Sequence, residues 1–174
     1  CRDEPANCAS PAARRFIAIV DDARAHDGRS RIELANRAIN DSIRYVGDLT
    51  QHGVPDLWLS PLAVLASGQG DCEDYAIAKY VALREAGLAA DDLRLLLVRD
   101  QAVRQDHAVL AVRHEGRWLV LDNRHPALLE TPKLPHFTPL YVLDEAGVKV
   151  FAAPYAARSG GKPERDLTPG AAND

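Results

Sequence analysis

Between residues 30 and 47 the apolar positions Ile32, Ala35, Ile39, Ile43 and Val46 recur every third or fourth residue, which lays one apolar stripe along a helix. The pattern predicts an amphipathic helix over 30–47 with Ser30 as its N-cap. Gly53, Pro55 and Pro61 then break the periodicity around Trp58, and LAVLAS supplies a short helical piece that runs into Gly68. From Asp71 the spacing of Ala76, Ile77, Tyr80, Val81 and Ala82 predicts a buried helix ending at Gly87, a residue suited to the position just past a helix C-terminus. After Gly87 the period changes to two. Segments 93–99, 106–113 and 117–122 are rich in Leu and Val and read as strands, with His114-Glu115-Gly116-Arg117 turning between the last two. A further pair, 139–143 and 148–152, flanks Asp144-Glu145-Ala146-Gly147. Helices first and strands afterwards predict an α+β domain, its helices packed on an antiparallel sheet.

Composition narrows this to one domain. A chain of 174 residues, 47% of them hydrophobic, buries one substantial core. The domain proper spans about 13–156; residues 1–12 and 157–174, rich in Pro, Gly, Ala and charge without periodicity, read as flexible termini. The net charge is -4 and basic residues nowhere cluster with aromatics, which argues against nucleic acid as a partner. No run reaches the roughly 18 to 20 apolar residues of a membrane span. The absence of methionine suggests a piece trimmed from a longer precursor, which permits export. Cys1 and Cys8 are near enough to pair in an oxidising compartment, or Cys1 to carry a lipid, leaving Cys72 as the odd thiol.

Cys72 sits in GQGDCEDYAIAKY at the start of the helix that begins near Asp71, where free N–H groups and the positive end of the helix dipole favour thiolate. A buried cysteine is commonly inert, so the case rests on partners. His107 lies near the start of one strand and Asp122 near the end of the next. A turn centred between Glu115 and Gly116 pairs 114 with 117 and 109 with 122. His107 and Asp122 are then diagonal neighbours on one face, roughly 7 to 8 Å apart at the backbone. A one-residue slip would put them on opposite faces. Cys72, His107 and Asp122 form a nucleophile, base and orienter set, although a strand-end histidine and a turn aspartate also have ordinary structural roles. Asp106 is a rival orienter, but neighbours on a strand point to opposite faces.

GDCEDYAIAKYVALREAGL, then DHAVLAV and WLVLDN, resemble the bacterial transglutaminase-like cysteine peptidases, in particular their adhesin-releasing LapG-like branch. The resemblance runs from INDSIRYVGD through LWLSPLAVLASGQGDCEDYA to FTPLYVLDEAG. It implies a papain-like core in the transglutaminase arrangement, with the catalytic cysteine, histidine and aspartate at Cys72, His107 and Asp122. It also implies calcium held by Asp71 and Glu73. Physically this is coherent, because carboxylates beside Cys72 oppose thiolate formation and a hard cation relieves that conflict; Asp71, Glu73 and Asp74 as plain helix caps are the alternative. The chain departs from the branch at Asp106 and Ala108, which flank the histidine. Trp58 and Asn123 are candidates for an oxyanion donor or the substrate groove, with core packing and a turn as their ordinary roles. By the same resemblance the enzyme is periplasmic, cleaves an adhesin-like surface protein and is held by an inner-membrane receptor. Two rivals stand beside the peptidase: an amidase or transglutaminase using the same acyl-enzyme, and a catalytically silent peptide-binding domain.

Overall fold

The computed structural model describes residues 8–151. The chain divides into two compact units, residues 1–88 and 89–174. The first is helical. Helix α1 (Pro11–Arg24) opens with Ser10, whose side chain accepts the Ala13 N–H at 3.0 Å, followed by proline in the first turn. Helix α2 (Gly28–Ser42) starts after Asp27. The pair β1 (Arg44–Tyr45) and β2 (Gln69–Gly70) is parallel, and between its strands lie α3 (Asp48–Gln51) and α4 (Pro61–Ser67). Helix α5 (Cys72–Glu85) follows β2 directly. Ile19 and Val20 of α1, Ile39 of α2, Val64 and Leu65 of α4, and Tyr75, Ala78 and Ala82 of α5 form the core of this unit. The Tyr75 hydroxyl donates to the Ile43 carbonyl and ties α5 to the end of α2.

Three sequence expectations need correction. Ser30 is not the cap: Asp27 holds that position, and its carboxylate pairs with Arg31 at 3.0 Å. Helix α2 stops at Ser42 rather than 47, because Ile43 is extended and lets Arg44 and Val46 donate to the Gly68 and Gly70 carbonyls at 2.9 and 3.0 Å. Pro11 and Ala12, read as part of the terminal tail, belong to α1, and Ala12 is buried. The predicted stop at Gly87 matches the structure: at φ 101° it lets Leu88 donate to Leu83 and Gly87 to Arg84, both at 3.0 Å. The pairing of Cys1 and Cys8, and the tail from 157 onward, lie outside the described residues.

The second unit is a six-stranded antiparallel sheet: β3 (Leu93–Asp100), β4 (Gln105–His114), β5 (Arg117–Leu121), β6 (Leu129–Glu130), β7 (Phe137–Asp144) and β8 (Gly147–Val150), ordered β6-β5-β4-β3-β7-β8. Its core cluster includes Leu96, Val98, Val109, Ala111, Trp118, Val120 and Val142. The β4–β5 hairpin pairs His114 with Arg117 and Leu110 with Leu121, the register that the Glu115-Gly116 turn predicts. Glu115 and Gly116 both take positive φ there, 50° and 72°.

Candidate active site

Cys72 is the first residue of α5, and the turn beneath it is fastened by carboxylates. Asp71 and Asp74 form a capping box, and Asp74, fully buried, accepts the Leu59 N–H at 2.9 Å and the Asp71 N–H at 3.3 Å. Asp74 thereby pins both the loop ahead of α4 and the start of α5. Gly70 makes room for it: a Cβ at 70 would stand 2.7 Å from Asp74 Oδ2. The Cys72 thiol donates to Glu73 Oε2 at 3.1 Å.

Asp48, at the start of α3, joins Asp71 and Glu73, and one oxygen of each lies within 4.8 Å of the others. Asp48 and Asp71 are only 2% and 8% exposed, and the Oδ1 atom of each lacks a hydrogen-bond partner among the described residues. Such a cluster is electrostatically uncomfortable. Burial, aided by the hydrogen bond with Asp71, pushes the Glu73 carboxyl up to about 8, against the opposing effect of the Cys72 thiol. Asp71 is raised by burial first and then by the charges of Asp48 and Asp56. Burial raises Asp74 as well. An oxygen-only donor set, crowded, anionic and holding two buried oxygens with no donor, fits a hard divalent cation such as calcium. Asp71 and Glu73 were expected as ligands; Asp48 was not. It lies 23 positions before Asp71, and only β1 pairing with β2 brings its turn alongside.

In the sheet unit, His107 and Asp122 share the face that carries Val109, Ala111 and Val120. Both are buried, and His107 Nε2 meets Asp122 Oδ1 at 2.9 Å. The same oxygen accepts the Arg124 backbone N–H at 2.9 Å. Burial alone would raise the Asp122 carboxyl; the His107 hydrogen bond and charge, with the Arg124 N–H and guanidinium, outweigh it and hold the group well below the usual carboxylate range. Asp106 points away and pairs with Arg99 at 2.9 Å on the exposed side. Trp58 is 43% exposed and its indole N–H is engaged by Asp56 at 3.0 Å, so it is not core. Asn123 is half-buried, its Oδ1 without a donor among the described residues. Arg124, beside Asp122, escaped the sequence reading because an arginine in a turn carries no pattern of its own.

The family model of bacterial transglutaminase-like cysteine proteinases (BTLCP) matches residues 1–136. The chain belongs to this family. Among solved structures the proteinase is similar to LapG of Legionella pneumophila, at TM-score 0.71 and 27% identity over 81% of this chain and 80% of that one. A calcium-bound form of that LapG matches at TM-score 0.72 and 26% identity over 83% and 82% of the two chains. An EGTA-treated form matches at 0.71 and 27% over 81% and 78%. No curated protein sequence matches the proteinase. Family and fold together make it an α+β, transglutaminase-like cysteine peptidase, whose substrate is therefore a protein. Among the described residues no helix is long and apolar enough to cross a membrane.

Proposed function

We propose that this proteinase is a calcium-dependent endopeptidase in which Cys72, His107 and Asp122 act as nucleophile, base and orienter. One observation carries the reading: the buried bond from His107 to Asp122 engages Nε2, which leaves Nδ1 as the ring nitrogen for the thiol proton. His107 takes the proton from Cys72 as sulfur attacks the peptide carbonyl, and Asp122 steadies the imidazolium so formed. The backbone N–H of Cys72, in the first turn of α5, donates to the developing oxyanion. Collapse of the tetrahedral intermediate breaks the C–N bond, and His107 returns its proton to the leaving amine. Water, deprotonated by His107, then attacks the thioester; the acid departs and the thiol is restored.

Asp48, Asp71 and Glu73 would hold the calcium, which when bound neutralises the cluster and orders the segment ahead of Cys72. The two buried carboxylate oxygens without donors support this assignment, as does the calcium-bound form of the similar LapG. By likeness to the LapG-like branch, the substrate is an adhesin-like surface protein, the compartment the periplasm and the regulator an inner-membrane receptor. The decisive test is chemical. Cys72 should be alkylated by iodoacetamide near neutral pH faster than the same thiol in the denatured chain, and Cys72→Ala should abolish cleavage with an unchanged circular dichroism spectrum. Undiminished turnover by Cys72→Ala would end the proposal.

A further inference from the structure

Arg124 spans the region behind the His107–Asp122 pair. Its guanidinium Nη2 is anchored on Asp100 Oδ2 at 3.0 Å, its Nε stands 3.5 Å from Asp122 Oδ1, and its backbone N–H donates to that same oxygen at 2.9 Å. Asp100 is buried at the end of β3, and its other oxygen accepts the Ala102 N–H at 2.9 Å, so the anchor itself is fixed. The guanidinium carbon lies 5.7 Å from the centre of the Phe137 ring. Phe137 in turn meets the His107 ring edge-on, with centroids 5.9 Å apart and planes at 64°. One side chain thus touches the carboxylate that orients the imidazole and the aromatic wall that the imidazole leans on.

We infer that Arg124, held by Asp100, is a positioning residue for the peptidase reaction: it locks the Asp122 carboxylate and the Phe137 ring so that His107 can present one fixed edge. The inference rests on the triad reading above. Arg124 compensates the buried Asp100 carboxylate, which is a structural role, and its contacts with Asp122 and Phe137 add a second one. Arg124 is about a third exposed while the Asp100 carboxylate it pairs with is buried, so the guanidinium is held from its inner side. Its planar fork matches two separate carboxylates, which a flexible ammonium cannot do with the same geometry. The Asp100 carboxylate reaches Asp122 through Arg124, so substitutions of the two side chains should be coupled.

The test measures p-nitrophenol release from p-nitrophenyl acetate, an acyl donor for Cys72 too small to need a substrate groove. The low-field proton resonance of the His107–Asp122 hydrogen bond and thermal stability are recorded alongside. Wild type should be acylated, and Cys72→Ala, His107→Ala and Asp122→Asn should not; acylation that ignores His107 and Asp122 sinks the triad itself. With the triad standing, Arg124→Met should slow acylation roughly tenfold or more, as small misplacements of catalytic groups do, and should shift or broaden the resonance, both measured well below the variant's own melting temperature. Arg124→Lys, which keeps the charge, should recover part of both. Asp100→Asn should show a smaller loss, and the double variant Arg124→Met/Asp100→Asn should be no slower than Arg124→Met alone. A wild-type rate and resonance in Arg124→Met, or losses that simply add in the double variant, would overturn the positioning role and leave the triad intact.

Discussion

Asp48 contributes negative charge to a place that already has too much. Its charge helps hold Asp71 above the ordinary carboxylate range, and both residues keep an oxygen without a donor. Asp48→Asn removes one charge while leaving an oxygen to accept the Leu57 N–H. Calcium-free protein should therefore gain about 1 kcal/mol by chemical denaturation, and the stabilisation by added calcium should disappear, opposite signs from one substitution. Glu73 sets the pH dependence. Its carboxyl rises from the ordinary 4.5 to about 8 on folding, so its stabilising contribution is fully present below 4.5 and lost as pH rises through about 8. Asp122 is depressed instead, so its contribution is present above the ordinary 3.8 and lost on acidification below that. Melting of the calcium-free protein should then climb as pH falls from about 9 to about 5, and Glu73→Gln should flatten that slope.

Element boundaries followed the sequence wherever one local rule governed them. The β4–β5 register was legible because alternation and a tight turn determine it together, and Gly87 because only glycine settles comfortably at φ 101°. The end of α2 was hidden, since the apolar stripe through Ile43 and Val46 continues while β1 pairing with β2 takes the backbone out of the helix. Helix α1 was missed because alanines dilute its stripe; Ser10-Pro11 was the readable signal. In the candidate site, His107 and Asp122 stood out by spacing and Asp71 and Glu73 by the family resemblance, whereas Asp48 and Arg124 gain meaning only from pairings distant in the chain. The junction between β2 and α5 is the least forgiving element. Gly70→Ala brings a methyl to 2.7 Å from an Asp74 oxygen and 2.9 Å from its Cβ, so Asp74 must yield and both caps weaken. A loss of about 1 to 3 kcal/mol in urea denaturation is expected.

Across the molecule, the helical unit and the sheet unit each carry a core of their own. Metal-linked behaviour should accordingly be regional. Stripping calcium should raise amide hydrogen exchange over residues 46–60 and the first turn of α5, and leave the central strands β3 and β4 protected. Equal deprotection of β4 would mean that the ion acts elsewhere.

The two tryptophans differ in the same regional way. Trp118 is 9% exposed, with the Arg94 and Arg113 guanidinium carbons 4.6 and 6.0 Å from the centre of its ring. Trp58 stands in water on the Asp56 carboxylate, whose charge also reaches Asp71. The proposed calcium site would so come with an intrinsic optical gauge: emission from position 58 should change as calcium is added, while position 118 supplies a constant background, and Trp58→Phe should silence the signal without touching affinity.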